Sequence, residues 1–216
     1  VRTGKPQVSY RETVTERAEH SSFFSKVIGT TTLHAGVTLR VEPVKEGIDI
    51  KIKLPCELPR EFLDATRQSL EDGMIAGPML GYSITNIKVT VIGVEFSEDE
   101  ASDIAFKAAA AQAFREAYEK AGPALLEPIM EVEVISPEEY MGDLIADLNT
   151  RRGRIEVVEN IKEHKLIKAY VPLAASFGYA TTLRSLSQGR ASFAMHFSHY
   201  ALLPEEERHK LFDYLA

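Results

Sequence analysis

The chain holds one cysteine in 216 residues, Cys56, so it can form no internal disulfide and cannot supply the thiolates of a structural zinc site. A reducing compartment suits it. Long apolar runs are absent as well: no stretch approaches the roughly 18 residues that a membrane-spanning helix needs, and residues 1–10 have no apolar signal core. A cytoplasmic protein with no membrane partner is expected. Basic residues are in deficit, 25 Lys and Arg against 32 Asp and Glu, and the net charge of −7 repels phosphate overall. No Gly-rich loop ends in Gly-Lys-Ser/Thr, and the one Gly-Lys pair, Gly4-Lys5, precedes Pro6. The chain by itself should hydrolyse no nucleotide. It lacks an initiator methionine and opens on an extended polar stretch, which reads as a fragment of a longer protein.

Candidate chemistry is equally sparse. In His196-Phe197-Ser198-His199 strand spacing sends the two imidazoles to opposite faces, and no cysteine or carboxylate pair completes a metal set. Cys56 has no histidine near it in sequence and reads as an inert thiol. The carboxylates of 95–100 read as helix-start charges rather than an acid/base pair. No catalytic residue is assigned, and no metal site.

What remains is an ordinary globular composition, 44% hydrophobic and 26% charged, enough for one large or two small domains. Residues 97–121 predict a long helix with Ile104, Ala108, Ala111, Phe114 and Tyr118 on its apolar face. Ser97 and Glu100 read as its capping box, with Gly122-Pro123 as its stop. Ahead of it, 37–41 and 48–52 read as a β-hairpin turned by 43–47, residues 59–74 as a helix, and 84–94 as a strand.

From Glu127 onward the order strand (129–135), helix (137–149), strand (154–160), strand (165–171), helix (179–187), strand (191–200) predicts a split β-α-β-β-α-β unit. Both its helices run to a glycine, Gly153 and Gly189, each followed by an arginine. A polar helix opened by Pro204 ends the chain. The fold class is therefore α+β with two domains.

Charge is uneven in this half. Residues 127–150 contain seven acidic residues and no Lys or Arg, whereas 151–190 contain eight basic residues against three acidic ones. If both helix-to-strand turns lie at one end of the sheet, Arg151, Arg152, Arg154, Arg184 and Arg190 form a single basic surface suited to RNA phosphates. The competing reading, of equal weight on spacing alone, pairs these arginines with the acidic segment.

Several motifs resemble elongation factor G, a translational GTPase. They are Gly4-Lys5-Pro6-Gln7-Val8 with Tyr10-Arg11-Glu12-Thr13; Ala76-Gly77-Pro78 with Gly81-Tyr82; Ala105-Phe106-Lys107; Leu126-Glu127-Pro128-Ile129-Met130; Gly142-Asp143-Leu144-Ile145 with Arg151-Arg152-Gly153; and Phe177-Gly178-Tyr179-Ala180-Thr181 through Leu183-Arg184-Ser185-Leu186 to Gln188-Gly189-Arg190-Ala191. They keep the family's order over nearly the whole length. The resemblance implies that 1–126 is an elongated fourth domain, that 127–200 is a ferredoxin-like fifth domain near large-subunit rRNA, and that 201–216 returns to the fourth. It implies a monomer that partners the ribosome, tRNA and mRNA, in a parent GTPase whose GTP and Mg2+ lie upstream, with no cofactor in this chain. The fourth-domain tip would be Thr32, Leu33 and His34 with Ser97 and Glu98. Here the sequence departs from the family, whose first tip loop is Gly-Gly-x-Gly-Gln-Tyr-Gly and whose second presents a histidine. Thr30-Thr31-Thr32-Leu33-His34-Ala35-Gly36 and Ser97 stand in their places, and 55–62 replaces a further Gly-Gly segment. A divergent paralogue is implied, serving translocation or else ribosome recycling or A-site clearance. An unrelated α/β enzyme sharing local motifs is the remaining alternative.

Overall fold

In a computed structural model of the chain, residues 8–215 are described, so the motif residues 4–7 lie outside them. The chain divides into two units, Arg11–Leu125 and Leu126–Ala216 with Val1–Tyr10. The first contains β1 (Arg11–Val14), β2 (Ala18–Ile28), β3 (Thr31–Pro43), β4 (Ile48–Ile52), α1 (Arg60–Ile75), β5 (Ile87–Glu95) and α2 (Asp103–Lys120). Alternation sets its sheet. Ala35, Val37, Leu39 and Val41 of β3 and Ile87, Val89 and Val91 of β5 are all buried on one face, against the Ala- and Phe-rich side of α2.

The strand order is β2-β3-β5-β4, with β4 parallel to β5 and the other pairs antiparallel. The expected hairpin of 37–41 with 48–52 therefore does not form, because β5 lies between its two arms. Residues 44 and 47 bond to the start of β5, Val44 N–H donating to Asn86 O and Ile87 N–H to Gly47 O. The hairpin that does form joins β2 to β3 through Gly29 and Thr30, with Gly29 at φ +65°. The β2 strand has no counterpart in the sequence reading.

The long helix is shorter at its start than expected. Ser97 accepts backbone bonds from Glu100 and Ala101 in a separate turn, and the cap is Ser102, whose Oγ accepts from Ala105 N–H at 3.1 Å. Its buried stripe is also displaced by about one residue from the expected one. Ala105, Phe106, Ala109, Ala110, Ala113, Phe114, Ala117 and Tyr118 face inward, while Ile104 is exposed. Alanines let the helix approach closely, and the sheet brings the bulk.

One buried charge fastens this unit. Glu12 is fully buried, and its carboxylate accepts N–H bonds from Met79 (3.0 Å), Leu80 (2.8 Å) and Tyr82 (3.1 Å), with the Tyr118 hydroxyl 3.3 Å away. Gly77 is required there, because a Cβ would stand 2.0 Å from Glu12 Oε2. Burial, and secondly the Glu12 charge, push the Tyr118 phenol well above its ordinary range, so it stays a donor.

The second unit takes up β6 (Pro123–Ser136), a 3-10 turn (Glu138–Tyr140), α3 (Met141–Thr150), β7 (Arg154–Ile161), β8 (His164–Pro172), the short α4 (Leu173–Ser176), α5 (Tyr179–Leu186), β9 (Ser192–Leu202) and α6 (Glu205–Leu215). Its antiparallel sheet runs β9-β6-β8-β7, the split β-α-β-β-α-β arrangement. Val132, Val134, Ile167, Ala169 and Val171 meet Leu144, Leu148, Tyr179 and Leu183 in one core. The final helix, expected to return to the first domain, is grouped with this unit, where the Glu207 carboxylate is held below its usual range, chiefly by Lys210 and also by Arg152. Among the described residues no helix is long and apolar enough to cross a membrane.

Two substitution pairs test these assignments. Ser102→Ala should cost about 1 kcal/mol of stability in chemical denaturation and Ser97→Ala almost nothing. Equal losses would return the cap to Ser97. Gly77→Ala and Glu12→Gln should each cost about 3 kcal/mol, since either leaves buried donors without an anion; a loss under about 1 kcal/mol in both would mean the cradle is dispensable.

Candidate functional site

Two surfaces follow from the sequence, the tip and the arginines. At the tip, Thr32, Leu33 and His34 are not in a loop. They belong to β3, opposite Val27, Lys26 and Ser25 of β2, and the turn lies before them at Gly29-Thr30. The reason is local: the 31–36 segment lacks the clustered glycines that keep a loop out of a ladder, so pairing continues to the turn. Leu33 packs against the core of the first unit. His34 is half-buried, its ring nearly parallel to that of Phe23. The second tip segment meets the first, since His34 N–H donates to Glu100 O at 2.9 Å and Gly36 pairs with Glu95. Ser97 and Glu98 stand in that loop.

The arginines are not one surface. Register puts Arg154 opposite Tyr170, which is opposite Glu131, whereas β9 begins at Ser192 opposite Ile135. The two helix-to-strand turns thus lie at opposite ends of the sheet, about 13 Å apart along the strands. In this connectivity α3 and α5 run in opposite directions across the same strands, so their ends cannot coincide.

Most of these side chains are already engaged. Arg151 donates from Nε to Asp147 Oδ2 (2.8 Å), from Nη1 to the carbonyls of Ala175 (2.8 Å) and Phe177 (3.3 Å), and from Nη2 to Thr182 Oγ1 (3.0 Å). Its guanidinium also stands over the Tyr179 ring at 5.2 Å. Arg152 grips the buried Glu127 carboxylate with two bonds, 2.9 and 2.8 Å, which together with the Glu127 charge raises its pKa further. Arg190 pairs with Glu139 and Arg154 with Glu156, but both remain largely exposed, and Arg184 is exposed at the end of α5. The pairing with the acidic segment therefore holds for Arg151, Arg152 and Arg190, and the first two are fasteners of the fold.

The helix ends explain why Arg152 is there. Arg152, not Gly153, takes the left-handed position (φ +58°), with Arg152 N–H donating to Asn149 O and Gly153 N–H to Leu148 O. Gly153 serves a different need: a Cβ would lie 2.6 Å from Leu148 O. After α5 the same pair of N–H bonds recurs, Gln188 to Ser185 O and Gly189 to Arg184 O, but there both residues are left-handed, at φ +51° and +77°.

The histidine pair also differs from expectation. A bulge opposite Ile129 and Met130 places His199 against Ile129 and His196 against Glu131, so both imidazoles share one face. His196 bonds Glu131 at 3.2 Å and His199 stands edge-on to Tyr170. Among the described residues no group of three or more His, Cys, Asp or Glu could hold a metal ion.

Residues 6–122 match the family described as Elongation factor G, domain IV, and residues 124–211 match Elongation factor G C-terminus. The chain belongs to the elongation factor G family. Elongation factor G of Thermotoga neapolitana is 45% identical over 216 residues, covering 98% of this chain and 31% of that protein. That of Thermotoga maritima is 44% identical over the same shares. A crystal structure from Thermus thermophilus superposes with a TM-score of 0.85 at 32% identity, over 95% of this chain and 31% of its own. The chain thus spans about a third of the length of these relatives. Family motifs far apart in sequence meet in the structure: Glu12 with Gly77 and Tyr82, and Glu127 with Arg152.

Arg152→Ala should cost about 3 kcal/mol by leaving Glu127 buried and unpaired. Arg152→Gly should cost about 1 kcal/mol less, because glycine takes the left-handed backbone freely. Equal denaturation midpoints for the two variants would disprove strain at this position.

Proposed function

We propose that this chain is the ribosome-binding C-terminal part of an elongation factor G-like protein that promotes GTP-dependent movement of tRNA and mRNA. The observation that carries the reading is the succession of two folds, matched in family order to domain IV and the C-terminus over nearly the whole chain. In this reading the chain is a mechanical part. Nucleotide chemistry, with its GTP and Mg2+, belongs in this reading to regions of the relatives that this chain does not span. The protein works as a monomer in the cytoplasm.

The second unit meets rRNA through the exposed arginines, Arg154 at one end of the sheet and Arg184 and Arg190 on the α5 side. Arg151 and Arg152 keep the turn rigid beneath them. The β2–β3 hairpin end, with the Ser97–Glu98 loop beside it, points toward tRNA and mRNA. A second reading, recycling or A-site clearance, is favoured by one observation: Leu33 is half-buried against the core where the family presents a polar glutamine. Single-round translocation with the full-length protein separates them, since normal rates exclude the second reading.

Charge reversal at Arg184 and Arg190 should weaken co-sedimentation with ribosomes and lower its salt slope by about one unit per lost phosphate contact. Unchanged binding and slope would eliminate this arginine surface.

A further inference from the structure

Gln112, Glu116 and Lys120 stand four residues apart, forming one stripe of α2 beside its buried alanines. His20 meets that stripe from the sheet. It pairs in register with the core residue Leu39, which puts it on the side of β2 turned to α2, and β2 is an outer strand of its sheet. The four side chains form a relay. Lys120 Nζ lies 2.7 Å from His20 Nδ1, His20 Nε2 meets one oxygen of the Glu116 carboxylate, and Gln112 Nε2 donates to the other oxygen at 2.9 Å.

The donors and acceptors assign the roles. An ammonium can only donate, so His20 Nδ1 accepts from Lys120, and the ring proton sits on Nε2, where it is given to Glu116. The imidazole is thereby left with a basic nitrogen against Lys120. Behind it the Glu116 carboxyl is held below its usual range, above all by the Gln112 bond, so an anion faces any charge the ring acquires. Lys51, Lys88 and Lys168 differ, because each bonds a carboxylate directly, Asp49, Glu42 and Glu133 respectively. Only the imidazole contact supplies a base that a third group orients, the arrangement that activates weak nucleophiles.

There is room for a reactant. A depression of about 610 Å3 opens beside Lys120, bordered by Gln112, Arg115, Glu116 and Glu119. Arg115 bonds Glu119 through Nε at 3.2 Å, which leaves its Nη donors for an anionic leaving group.

We infer that Lys120 is a site of acylation by small activated acyl donors, with His20 as the base and Glu116 orienting it. In this step Lys120 passes one proton to His20 Nδ1, and its nitrogen lone pair attacks the acyl carbon. The C–N bond forms while the bond from that carbon to phosphate or thiolate breaks, its electron pair departing with the leaving group. The second amine proton goes to the leaving group, and His20 returns its own to water. The product is a neutral amide, so the last turn of α2 loses a cation that favours its C-terminus. The inference stands apart from the ribosomal reading and uses neither RNA nor the tip.

The test incubates the whole chain with acetyl phosphate and, separately, with a neutral acetyl thioester, and follows acetylation of each lysine by peptide mass spectrometry. Lys120 should react about tenfold faster than the exposed Lys45 and Lys162, and His20→Gln should bring it down to their rate. Glu116→Gln, which leaves the ring a bond but no anion, should slow it about threefold. Rates at Lys45 and Lys162 in the same digest should not change, and thermal unfolding of each variant reports its fold. A preference for Lys120 with one reagent alone supports the inference and names the donor as an acyl phosphate or a thioester. No preference with either reagent overturns it, and so does a preference that survives His20→Gln. If His20→Gln unfolds, Glu116→Gln decides, since an unchanged rate there also overturns it.

Discussion

The Glu12 carboxylate is the constraint on which the first unit depends. A buried anion is tolerable only when donors replace the water it has lost. Here three backbone N–H groups and one phenol do so, and those donors come from the 79–82 loop and from α2. Bringing them together fixes β1, the loop after α1 and the last turn of the long helix at once. Gly77 belongs to the same device, since its missing Cβ is the space the carboxylate occupies. The second unit repeats the principle with ions of both signs: Glu127 is held by Arg152, and Arg151 is shared among Asp147, two carbonyls and Thr182.

This separates two roles that arginine-rich sequence runs together. A guanidinium that already makes four bonds, as Arg151 does, has little left for a phosphate, and moving it would expose Asp147 and two carbonyls. Its contribution to any surface is to hold the backbone still. Exposed Arg154, Arg184 and Arg190 keep free donors, and the weak surface ion pairs of Arg154 and Arg190 can be exchanged for phosphate at small cost. Net charge therefore says less about RNA binding than which charges remain uncommitted after folding.

Much of the second unit was legible in the sequence, because each element carried its own periodicity: alternation in 129–135 and 165–171, helical spacing in 179–187. Pair partners were not legible. The runs at 37–41 and 48–52 look like hairpin arms, yet which strand takes the centre depends on β5, some forty residues downstream. Ser97 and Ser102 both precede helix formers, and the choice between them as the cap is made by the separate turn the chain takes after leaving β5. The bulge that puts His196 and His199 on one face, and the antiparallel course of α3 and α5, are likewise properties of the sheet. The alternation of Phe23, Ser25 and Val27 ahead of Gly29 is a strand signal present in the sequence.

The hairpin end shows what continued pairing does to a surface. A glycine-rich loop is ordered only when it meets its partner, and that ordering opposes binding by roughly 1–2 kcal/mol per residue fixed. In this chain pairing continues through Thr32, Leu33 and His34 up to the turn, so those residues are ordered beforehand. Leu33 is thereby turned inward, and the outward positions fall to Phe23, His34 and Val27. The end therefore has one backbone shape, set by its ladder of strand bonds, and this follows from one strand remaining paired for a few residues more.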